Sequence, residues 1–210
     1  MPDWVLAAER AYVAAAVSNR NAGAPGDQHH ASSTIGDPQS DTGAPDRKAR
    51  AIASAGAVAS RYLAVGTPRS FGIVIDVASE VDAAMLSLTA HRTWFAPRDI
   101  RCAATGMGAA ELAAATSGRV VSIDEALACD IVNVHSTRVR ITPAQLRRGT
   151  HVNAVSADVF AAELLTLATV VREAGLPALA AGLVDGRQLD EITIFFIDGA
   201  PIAMATATTV

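Results

Sequence analysis

The chain has 210 residues, 50% of them hydrophobic, but 45 are alanine, so the large apolar side chains suffice for one ordinary domain and not for two. Charged residues make up 18%, the net charge is -4, and Lys48 is the single lysine among 17 cations, which leaves no basic stripe and argues against a nucleic-acid partner. Cys102 and Cys129 sit in apolar runs without disulfide or metal-ligand spacing, no apolar run reaches membrane-spanning length, and the opening MPDWVLAAER has acids where a secretory leader needs cations, so a cytoplasmic protein with no membrane partner is expected.

Residues 1–17 read as an N-terminal helix, because Trp4, Ala8, Ala11, Tyr12 and Ala15 recur at helical spacing around Glu9 and Arg10. Residues 18–46 are small, polar, glycine or proline, with Ile35 the one large aliphatic, and read as a flexible linker. The paired His29 and His30 fall inside it without the further ligands that a metal site requires, so no metal is expected. Residues 47–210 then alternate. An alanine-rich helix over 47–64 stops near Gly66, Thr67 and Pro68, followed by a buried strand (71–77), a helix (80–90), a strand (100–105) and a helix (109–116). A short strand (120–123), a helical turn (124–128) and strands at 130–135 and 151–155 come next. A helix over 159–175, a helical piece at 179–184 and a strand-like ITIFFI complete the chain, with no internal repeat. Short apolar strands separated by helices predict an α/β fold, Rossmann-like, with a mostly parallel sheet covered by helices on both faces.

Several segments in this order, ARAIASAGAVASRYLAVGTPRSFGIVI, ALACDIVNVHST, ITPAQLRRGTHVNAVSAD and GRQLDEITIFFIDGAPIA, resemble the ornithine cyclodeaminase, mu-crystallin and ketimine reductase family over residues 47–210. GTHVNAVSAD and DEIT are the most specific pieces. The resemblance implies an NAD(P) cofactor, amino-acid or cyclic-imine substrates, and a Rossmann domain facing a separate dimerisation domain. That second domain is expected to be largely absent, its place taken by the first helix and the linker. A homo-oligomer, or a complex with a full-length homologue, is the expected assembly, because the apolar face of the Trp4 helix needs cover.

A dinucleotide loop needs glycines after the first strand and a free helix N-terminus for the pyrophosphate. On the resemblance, the three small positions fall at Ile75, Val77 and Glu80, so the loop reads IDVASE and is degenerate. Ile75 and Val77 are β-branched and resist positive φ. Asp76, Glu80 and Asp82 add negative charge where a diphosphate would sit. Ser79 with Asp82 forms a capping-box-like pair expected to occupy the helix N–H groups from within. GMG at Gly106–Gly108 imitates a relocated fingerprint, but Glu111 takes its third small position and the crossover is short, so a plain turn is the better reading. The ribose-binding acid expected near AATG is also absent.

For chemistry, Asp158 matches the aspartate that the resemblance assigns to proton transfer at the substrate amine; as a bare residue it equally reads as a helix N-cap. His135, Ser136 and Thr137 end a strand at the ligand-binding edge of the sheet and are candidate, vestigial cofactor contacts. His151 and Asn153 read as satisfied packing residues. The family's carboxylate-binding arginine falls at Ala51, one helical residue from Arg50, and its catalytic lysine belongs to the absent domain, with Lys48 no equivalent. Near the C-terminus Ala203 and Met204 stand where the resemblance implies an acid, and Asp190 and Glu191 read as residues that cap or orient the last strand. Three functions stay open: an enzyme of amino-acid or imine metabolism with an altered cofactor site, a non-catalytic partner subunit, and a module binding a small-molecule ligand.

Overall fold

The computed structural model describes residues 3–21, 44–181 and 192–196. Seven strands form one all-parallel sheet: β1 (Ser70–Ile75), β2 (Asp99–Ala104), β3 (Arg119–Val120), β4 (Ile131–Val134), β5 (His151–Ala154), β6 (Thr169–Arg172) and β7 (Thr193–Phe196). Their order is β3-β2-β1-β4-β5-β7-β6, so the first five follow the doubly wound pattern and the last two exchange places. The helices are α1 (Asp3–Asn21), α2 (Ala44–Leu63), α3 (Val81–His91), α4 (Ala109–Thr116), α5 (Ile123–Leu127), α6 (Ala162–Leu167) and α7 (Leu176–Ala180). The α/β Rossmann-like architecture expected from the alternation is the one that forms.

Strand side chains alternate between two faces, and both are buried by helices. On one face Val74, Val132, Val152 and Ile194 pack with Leu127 of α5 and Leu164 of α6. On the other, Phe71, Ile73 and Ile75 meet Val81 and Leu88 of α3 and Leu112 of α4, while Phe195 meets Val58 of α2, Leu176 of α7 and Tyr12 of α1. Contact is closest at Gly72, where a Cβ would stand 2.1 Å from the Ala126 carbonyl oxygen, so β1 needs bare backbone there to lie against α5. Glu9 fastens α1 to α2 by pairing with Arg61 at 2.6 Å and accepting from the Tyr62 hydroxyl at 2.8 Å.

The fold departs from the sequence expectation after β5. No continuous helix covers 159–175: a 3-10 turn (Ala157–Val159) leads to the short α6, then β6 and a second 3-10 turn (Glu173–Gly175). Thr169, Val170 and Val171 are β-branched and suit a pleated strand, and β7 supplies the partner through pairs such as Val170↔Ile194. That partner arrives from beyond the reach of local periodicity. The strand expected at 120–123 is only Arg119–Val120, and Ile123 opens α5 behind a Ser122–Glu125 capping box. Most of the 18–46 linker, His29, His30, Asp190, Glu191, Ala203 and Met204 lie outside the described residues. Among the described residues no helix is long and apolar enough to cross a membrane, and no cluster of three or more His, Cys, Asp or Glu could hold a metal ion.

Candidate functional site

In an open parallel sheet the ligand crevice lies outside the carboxyl ends of the strands, where the strand order reverses; here that is between β1 and β4. Asp76, the residue after β1, occupies this point and is 5% exposed. Its carboxylate accepts hydrogen bonds from the Ser136 hydroxyl, from Thr105 Oγ1 at 2.6 Å, and from the Thr137 N–H and hydroxyl at 2.8 and 3.2 Å. The ends of β1, β2 and β4 are thereby tied to one anion. Burial acts to raise the Asp76 pKa, but the bonds from Ser136, Thr105 and Thr137 outweigh it and hold the carboxyl down at about 2.

The backbone N–H of Asp76 donates in turn to the Glu80 carboxylate at 2.6 Å. Val77 is extended, Ala78–Glu80 form a 3-10 turn, and α3 begins at Val81 with no side-chain cap bond at either start. The capping pair expected from Ser79 and Asp82 is therefore not formed. The tight turn instead brings Glu80 back over the end of β1, and its carboxylate accepts the first N–H of the loop.

The GMG segment closes the same edge. Thr105 N–H donates to Ile75 O at 3.0 Å and Gly106 N–H to Asp76 O at 3.1 Å. Gly108 has φ +126°, and a Cβ on it would stand 2.8 Å from Ala78 N, so this turn lies directly on the backbone of the β1–α3 loop. Replacing Gly108 with alanine is expected to cost about 1–3 kcal/mol, combining strain with overpacking, measured as a lower urea midpoint.

Two groups of sequence candidates thus meet through Asp76: the 75–80 loop and the 135–137 segment. His135 and Ser136 N–H groups both donate to Val74 O, at 2.8 and 3.2 Å, and Ser136 Oγ also accepts from the N–H groups of Arg138 and Val139. Sequence reasoning missed Thr105, having looked there only for an acid; a hydroxyl at the end of β2, facing an acid at the end of β1, was the available signal. Asp158 stands apart and exposed, in the 3-10 turn after β5. Its N-cap reading is overturned, because α6 begins at Ala162 behind Ala161, and Ser156 Oγ caps the short turn by accepting from Asp158 N–H at 3.2 Å. No hydrogen bond among the described residues links Asp158 to the Asp76 cluster. On α2, Lys48 and Arg50 are exposed, whereas Ile52 and Gly56 line a cavity under the helix, as a rotation of about 100° per residue requires.

Beneath α2 and α3 the sheet face carries a buried polar chain. His151 Nε2 donates to Asn153 Oδ1 at 3.0 Å, and its Nδ1 accepts from the Thr193 hydroxyl at 2.8 Å. The Asn153 amide donates to Ser60 Oγ and Asn133 Oδ1, both at 2.8 Å, and Asn133 donates to Ser87 Oγ at 2.6 Å. Ser60 donates to His91 Nε2 at 2.9 Å, and His91 Nδ1 donates to Ser87 O at 2.7 Å. This pattern satisfies two neutral imidazoles, and burial pushes their pKa values down to about 4 for His91 and about 3 for His151. Polar residues at period two, Asn133 on β4 and His151 and Asn153 on β5, were its trace in otherwise apolar strands.

No family model matches the sequence, and a search of curated proteins finds no match. Solved structures do match. An archaeal alanine dehydrogenase dimer with bound NAD superposes with TM-score 0.63 at 24% identity, covering 73% of this chain and 59% of that one. The Thermococcus litoralis Δ1-pyrroline-2-carboxylate reductase, in complex with NADH and L-proline, gives 0.57 at 19%, covering 72% and 59%. A probable ornithine cyclodeaminase from Bordetella pertussis gives 0.58 at 19%, covering 75% and 61%. The fold is the one these proteins carry. The structural neighbours are thus of the ornithine cyclodeaminase and alanine dehydrogenase type, in line with the sequence resemblance, and this chain spans about 59% of the length of the first two.

Proposed function

We propose that this chain is a divergent relative of the cyclodeaminases and imine reductases of amino-acid metabolism that has given up the dinucleotide site, and with it the NAD-dependent reaction. The observation that carries the reading is the Glu80 carboxylate seated on the Asp76 N–H at 2.6 Å. A pyrophosphate is held by free N–H groups on a backbone bare enough to approach. The residues present do not fit it. The first N–H of the loop is taken by an internal anion, the Asp76 carboxylate adds a second negative charge, and the Gly106–Gly108 turn packs on residues 76–78. At the end of β2 the position of a ribose acid is held by Thr105, which is committed to Asp76.

Two of the structural neighbours are solved with NAD or NADH, and in an open parallel sheet such a ligand binds outside the carboxyl ends of the strands, the edge on which Asp76 and Glu80 sit in this chain. Asp158 remains exposed, and the reading assigns it no step. The test is turnover: the purified protein is incubated with NAD+ or NADP+ and L-alanine or L-proline, and with NADH or NADPH and pyrroline-2-carboxylate. Absorbance of the reduced cofactor is expected to stay constant at every protein concentration. A rate that scales with protein, and is lost on denaturing it, would overturn the reading.

A further inference from the structure

We draw no further inference here: the strongest candidate, the exposed apolar surface patch that Val77 and Met107 form on the two loops following β1 and β2, carries nothing because nothing in the structure shows what covers it.

Discussion

Lowering the pH from 7 to 4.5 is expected to unfold the protein before most of its carboxylates titrate. His91 and His151 are fully buried, neutral and bonded at both ring nitrogens. Their folded pKa values, about 4 and about 3, lie below the ordinary value of 6.5 that they regain on unfolding. The unfolded chain therefore binds more protons, and stability is full above 6.5 and falls as the pH drops from there towards 4. Each histidine contributes a slope of about 1.4 kcal/mol per pH unit, so the pair removes roughly 5 kcal/mol over two units, comparable with the whole stability of a small domain. His135 titrates in the same direction, with a smaller share because it keeps some contact with solvent. Urea unfolding followed between pH 7 and 5 should give a slope corresponding to about two protons taken up. A stability independent of pH in this window would show that the imidazoles are not held neutral.

Removing the Asp76 carboxylate is expected to be the most damaging single change at the sheet edge. In Asp76→Ala the buried Ser136 hydroxyl loses its acceptor and keeps only the bonds it accepts from Arg138 and Val139, while the exposed Thr105 and Thr137 exchange the carboxylate for water. Losing hydrogen bonds to a charged group of this kind costs about 2–3 kcal/mol, which lowers the urea midpoint by roughly 1 M for an ordinary m-value. Asp76→Asn keeps one acceptor oxygen and should lose less. The pH dependence separates this site from the histidines. Because the folded pKa of about 2 lies below the ordinary 3.8, the contribution of Asp76 is present above pH 3.8 and is lost as the pH falls towards 2. The gap between wild type and Asp76→Ala should therefore stay constant from pH 8 to 5.

What the sequence made legible was whatever local pattern dictates. The buried runs FGIVI and IVNV could only be strands of a covered sheet, and α2 and α4 were bounded by their composition. The 159–175 segment was misread because β6 depends on β7, which pairs with it from more than twenty residues downstream. At the candidate site, the charge of IDVASE was plain in the residue types, but the geometry was not. Which carboxylate would take which donor depended on a 3-10 turn that folds Glu80 back onto Asp76, and on Thr105 and Ser136 meeting across three strands. The cap alternative for Asp158 failed because the helix behind it starts later than its apolar periodicity implied. The Asn133, His151 and Asn153 chain left only scattered polar letters in separate strands, and pairing registers were needed to join them.

On the proposed function, the backbone edge at the end of β1 is filled by the chain's own side chains and takes no nucleotide. Isothermal calorimetry of the wild-type chain with NADH and with NADPH at neutral pH tests it most directly. No saturable heat at millimolar nucleotide is the predicted result; one-to-one binding with a micromolar Kd would contradict it.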